Sequence, residues 1–185
     1  MTEDAGAGTG LRHYGIIHIP VTELASGPIP PNPVTRDNTQ GYAYSLAVGV
    51  GDSSSFQFVI PDDIEFGRDL RVWFSWCIDE TYALANGEVN WQVNWETTAM
   101  DETQLIGTGT AGVGTTGDQN IPALALSQTE DSVNIDDGDI ARGDLCRCII
   151  SRIDIVDGVD PTAEPEIYSI RIEYSKRDRT YDRTA

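Results

Sequence analysis

The clearest pattern in the chain is a strict alternation between Val89 and Glu96. Val89, Trp91, Val93 and Trp95 take one side, and Asn90, Gln92, Asn94 and Glu96 the other. Successive strand residues point to opposite faces, so this predicts a strand with one buried and one wet surface. A looser alternation precedes it, with Val72, Phe74, Trp76 and Ile78 facing inward and Arg71, Trp73, Ser75 and Cys77 outward. Between them lies Asp79 to Gly87, a polar connection ending in Asn86-Gly87, a strong turn dipeptide. All four tryptophans fall in this stretch. It predicts an aromatic hairpin, the largest apolar surface of the chain and the seed of a β-sandwich.

The remaining periodicity is short and punctuated by turns. His13 to Val21 reads as a first strand closed by Pro20, Tyr42 to Val50 as a second, and Phe56 to Ile60 as a third before Pro61. The proline-rich segment from Thr22 to Gln40 reads as an extended connection with neither helix nor central strand. Thr97 to Asn120, rich in Gly and Thr, reads as a surface loop with one edge segment. Ile121 to Leu126 and Ser132 to Ile135 read as short strands, and Asp136 to Asp139 as a turn. Asp144 to Val156 is a second strong strand, with a bulge expected at Ile149-Ile150 where the alternation slips. Ile167 to Tyr174 is the last. No sustained helical period occurs. The expectation is an all-β chain: a single jelly-roll β-sandwich or barrel of about eight strands with little or no helix. With 185 residues, 39% of them apolar, one domain over 13–175 is expected, between a flexible arm at 1–12 and a tail at 176–185.

Charge changes the picture of the environment. The chain holds 30 acidic and 12 basic residues, for a net charge of −18. Nineteen of the acids are Asp, and Lys176 is the only lysine. Such a surface repels itself in dilute buffer, whereas at about 1 M salt the screening length falls to about 3 Å. The composition therefore predicts a protein built for multimolar salt. The N-terminal residues lack the basic and apolar regions of a signal peptide, and no apolar run reaches the length of a membrane helix.

Candidate chemistry is sparse. His13 and His18 are the only histidines, and no GxSxG elbow accompanies them for nucleophilic catalysis. His18, if inward, reads as a hydrogen-bonded core or interface residue. Three cysteines and two histidines show no zinc-ligand spacing. Cys77, Cys146 and Cys148 read as small buried hydrophobes; the alternative is a bond from Cys77 to one of the others or to another subunit. GTGTAGVGTTG lacks the Lys-Ser/Thr ending of a phosphate loop. Counting back from Gly138 puts Val133 where a calcium loop needs its first oxygen ligand, so Asp136 to Asp139 reads as a solvated turn, with cation binding as the alternative. The KRDR run at Lys176 to Arg179 reads as a tail docking on an acidic neighbour rather than on nucleic acid. No catalytic, cofactor-binding or metal-ligating residue is expected, and no enzyme.

Several runs together carry a resemblance: FQFVIPDDIEFGRDLRVWFSW, GEVNWQVNWE, GDLCRCIISRID and the closing YSIRIEYS. Over roughly 56–175 they resemble β-sandwich structural proteins of viruses and phages. With the acidic surface and the length, the chain is similar to the smaller major capsid proteins of haloarchaeal icosahedral viruses with an internal membrane, the sphaerolipovirus type. That resemblance implies an upright single jelly roll in the virion shell, assembled in the host cytoplasm. It also implies homo- and hetero-oligomers, including ones with a larger jelly-roll capsid protein, in pseudo-hexameric capsomers. Contact with the internal membrane or its proteins would follow, and direct nucleic-acid binding would not. The alternative is a receptor- or glycan-binding module of a viral spike or tail, in which Trp73 or Tyr82 stacks on sugar rings. A solvent-open aromatic platform would distinguish it.

Overall fold

Residues 13–27, 29–38, 41–65, 67–80, 87–100 and 109–177 are described by the computed structural model, the backbone alone at Ser26, 35–38 and 41–46. Eleven strands are formed there: β1 (Tyr14–Ile19), β2 (Ala25–Ser26), β3 (Asn32–Asn38), β4 (Gly41–Ala47), β5 (Ser53–Val59), β6 (Leu70–Cys77), β7 (Glu88–Thr98), β8 (Thr110–Asn120), β9 (Thr129–Ile135), β10 (Leu145–Ile153) and β11 (Glu166–Ser175). The only helical pieces among these residues are 3-10 turns at Val21–Glu23 and Asp137–Asp139. All strand pairs are antiparallel. Sheet one runs β3-β4-β11-β6-β9, with β1 sharing one edge of β11 end to end with β4. Sheet two runs β2-β5-β10-β7-β8. The chain is an all-β, jelly-roll sandwich, as the alternation predicts.

The aromatic strands form where expected but are not a hairpin. β6 pairs with β11 and β9 in sheet one, while β7 pairs with β10 and β8 in sheet two. Each strand has one apolar face, with Val, Phe and Trp in β6 and Val and Trp in β7. Side by side in one sheet, both faces would still need a cover; in opposite sheets each covers the other. Trp91 meets Phe74 at 5.4 Å and Trp76 at 6.0 Å between ring centroids, both edge-on, and all three are fully buried. Every predicted inward residue of the two strands lies in this core.

Other expectations need correction. The edge segment expected in the Gly/Thr stretch is longer than a loop reading allows: β8, at the edge of sheet two, pairs with β7 over eleven residues. Its glycines fit it there: a Cβ on Gly112 would lie 2.4 Å from the Trp95 ring, and one on Gly114 2.5 Å from Val133 Cγ1. Packing against a neighbour overrides weak strand propensity. The Pro-rich segment holds β2 and β3, and β3 is an edge strand, the place where Pro33 is tolerated. Residues 121–126 are turn rather than strand, with Leu126 at φ 61. β10 keeps continuous register with β5 and β7 through Ile149-Ile150, so no bulge lies there. Its inward residues are Cys146, Cys148, Ile150 and Arg152; the irregularities fall instead at Asn90/Gln92 and Ile167/Ser169. His18 is exposed, not inward. The expected arm at 1–12, Tyr82, Asn86 and residues 178–185 of the tail lie outside the described residues.

Candidate functional site

Alternation in three central strands of sheet two sends Ser55 and Gln57, Arg147 and Ile149, and Asn94 and Glu96 to its outer face. Register sets them in two rows, Gln57–Arg147–Glu96 and Ser55–Ile149–Asn94. The segment crossing from β1 to β2 contributes Ile19, Glu23 and Ala25 as one wall, and the result is a groove of about 780 Å³. That volume is in the range of small-ligand clefts. Glu96 accepts from the Gly109 N–H at 3.2 Å and from the Thr98 hydroxyl at 3.5 Å. Arg147 Nη1 is buried with no hydrogen-bond partner. The groove can therefore offer two amides, one hydroxyl, two carboxylates and one guanidinium with a donor to spare. It holds no histidine. Phe56 and Trp95 reach its floor but stay buried, so it presents no open ring.

The outer face of sheet one carries Trp73, one of the two aromatics expected as a stacking platform. The Arg71 and Arg171 guanidiniums lie over its ring at 5.4 and 4.9 Å from the centroid. Arg171 is held there by two hydrogen bonds to Glu130, at 2.6 and 3.1 Å, and the Ser75 hydroxyl donates to the same carboxylate at 3.0 Å. The Arg171 bonds, followed by Ser75's, hold the Glu130 carboxyl below the usual carboxylate range. Trp73 is thus half-buried under cations rather than open to solvent.

At the turn after β9, carboxylate oxygens of Asp69, Asp136 and Asp137 lie within 4.8 Å of one another, all on exposed residues. They act as turn acceptors: Asp69 takes the Asp137 N–H at 3.2 Å, and Asp136 the Gly138 N–H at 2.8 Å. Asp139 takes the Trp95 indole N–H at 3.0 Å. Cys146 and Cys148 are fully buried with their Sγ atoms 3.7 Å apart. The bond between them, reinforced by burial, pushes the Cys148 thiol pKa well up. Cys77 is half-buried. His13 and His18 are both exposed at β1.

The groove is the feature that sequence reasoning missed. Each outward residue is legible from its own strand's alternation, but the order of β5, β10 and β7 that brings them together is not local.

No family model matches this chain, and no curated protein matches it in sequence. Among solved structures it is similar to a xylan-binding module, CBM15, at 14% identity and a TM-score of 0.50, covering 90% of this chain and 100% of that one. It is also similar to the CBM22-1–GH10 modules of a Clostridium thermocellum xylanase, Xyn10B, complexed with xylohexaose, at 9% identity and a TM-score of 0.49. That match covers 89% of this chain and 28% of the other. These neighbours are β-sandwich carbohydrate-binding modules, and at such identity the likeness is one of fold alone.

Proposed function

We propose that the chain is a structural subunit, a jelly-roll building block that buries its surfaces against other subunits of a shell in multimolar salt. The observation that carries this is an unusual apolar end of the sandwich. Leu124 and Val156 are 73% and 83% exposed, and Leu126 and Val159 41% and 52%. The backbone fixes them at one end: Leu126 N–H bonds Ile78 O, Glu88 N–H bonds Val159 O, and Val156 N–H bonds Asp118. Large aliphatics left in water at one end mark a surface that a partner covers. The sequence resemblance supports the same reading, with the larger jelly-roll capsid protein as partner and the virion shell as location. The covered Trp73 ring argues against the stacking expected of a sugar binder. Light scattering in multimolar salt and in dilute buffer tests the proposal. Oligomers that dissociate when salt is withdrawn are expected, and Leu124→Ser with Val156→Ser is expected to weaken them. A monomer indifferent to salt overturns it.

A second reading, a glycan-binding module, is favoured by the sheet-two groove and by the likeness of fold to a xylan-binding module. The comparisons support it more than they support a coat subunit. Here Gln57, Asn94 and Arg147 would hydrogen-bond sugar hydroxyls without ring stacking. Calorimetry with xylohexaose and a wider glycan array tests it; binding that Arg147→Ala abolishes would establish this reading over the first.

A further inference from the structure

The outer edge of β8, unpaired among the described residues, carries a specific consequence. A sheet edge exposes a row of N–H and C=O groups that template pairing, and natural sheets guard their edges with charge, proline, bulges or short strands. Three edges here are guarded in those ways: β3 carries Pro33, β9 carries Glu130 and Asp131, and β2 is two residues long. β1 has six residues and is closed by Pro20, and β5 runs on only four residues past β2 toward Pro61. β8 differs. It has eleven residues, no proline, and no charge before Asp118. Its one irregularity lies opposite Asn90/Gln92, toward the Asp118 end. Among the described residues its backbone ladder is with β7 alone.

The charge pattern names the occupant. Thr103 to Gly117, fifteen residues without Asp, Glu, Lys or Arg, is the longest uncharged run in a chain of net charge −18. Two copies of so acidic a molecule repel in dilute buffer; the β8 strand itself brings no carboxylate before Asp118, and the Asp69, Asp136 and Asp139 carboxyls that line a cleft with Gly112 and Val113 are screened in multimolar salt. An antiparallel pair about a two-fold axis is self-complementary. Centred on Gly114, it sets Thr110 opposite Asp118, so neither Asp118 faces its own copy. We propose that β8 is a homodimer edge, joining sheet two of one copy to sheet two of a second as a continuous ten-stranded sheet. This gives the structural-subunit reading a particular contact and rests on it.

The test uses the unmodified chain in multimolar salt, across a concentration series, with mass by sedimentation and amide hydrogen exchange on the same samples. Alternate amides between Thr110 and Gly117 are expected to exchange at least about tenfold more slowly as mass doubles, because only outward N–H groups gain partners. Association with unchanged β8 exchange overturns the edge and leaves the structural-subunit reading standing. A chain that stays monomeric overturns both. Val113→Pro and Gly114→Pro add a second arm. Neighbouring N–H groups point to opposite edges, so one of the two variants should lose the dimer while keeping the β-sheet circular dichroism signal. If both stay folded and dimeric, the edge is not used.

Discussion

Trp91 tests the central claim that the two aromatic strands face each other across the core. It is fully buried, edge-on to Phe74 and Trp76, and its indole N–H is buried without a hydrogen-bond partner. Truncation to Ala removes the ring and leaves a cavity between two sheets that cannot collapse freely, at a cost of about 3–5 kcal/mol. The aromatic contacts place it toward the upper end, since such pairs add about 0.5–1.5 kcal/mol beyond burial. Trp91→Phe keeps a ring in the contact and removes the orphaned donor, whose desolvation costs about 1–3 kcal/mol. That relief opposes the loss of ring volume, so Phe is expected to cost less than half as much as Ala. The assay is urea unfolding at fixed multimolar salt, followed by circular dichroism. With a slope near 2 kcal/mol per molar, Trp91→Ala should lower the midpoint by about 2 M. An Ala variant within about 1 kcal/mol of the parent would refute the packing argument. A Phe variant as damaging as Ala would show that the indole N–H is not a burden.

Four further outcomes are expected. Arg152 is 3% exposed at the inward end of β10 and paired with Asp160, so Asp160→Ala strands a buried guanidinium. That should cost about 3 kcal/mol in the same melts, more than Arg152→Met, which removes the charge itself. Glu130, with its pKa lowered by Arg171 and Ser75, stabilises the fold above its unfolded pKa, and this is lost as pH falls through the lower folded value. Glu130→Gln should therefore flatten the acid limb of the stability–pH curve below about pH 4.5, by under about 1 kcal/mol because the pair is partly exposed. Asp131 has the opposite sign: burial raises its pKa against the Trp76 hydrogen bond, so its stabilisation falls as pH rises. Asp131→Asn, which keeps an acceptor for Trp76, should be neutral or stabilising at pH 7 in a thermal melt. Iodoacetamide under native conditions should label Cys77 ahead of Cys146 and Cys148, which should react only on unfolding; mass spectrometry of the digested protein reads the order.

Much of this fold is written in local pattern. The period of two over 72–78, 89–95 and 170–174 fixes which side chains enter the core, because a strand has only two faces and only one was apolar. The −18 charge and the single lysine likewise carry the expectation of multimolar salt without any structure. The sequence also left Asp136 to Asp139 legible as a turn, since Asx acceptors close it locally.

What only the tertiary structure decided is which strands are neighbours. Asn86-Gly87 advertises a hairpin, yet β6 and β7 part into opposite sheets because two aromatic faces are better buried against each other than side by side. Gly112 and Gly114 read as loop from composition, and become strand only because Trp95 and Val133 leave no room for a side chain there. The Arg147 groove and the unguarded β8 edge have the same origin. Alternation sets the direction of each side chain, a local property of the backbone. Strand order depends on non-local pairing, whose free energy no single segment carries.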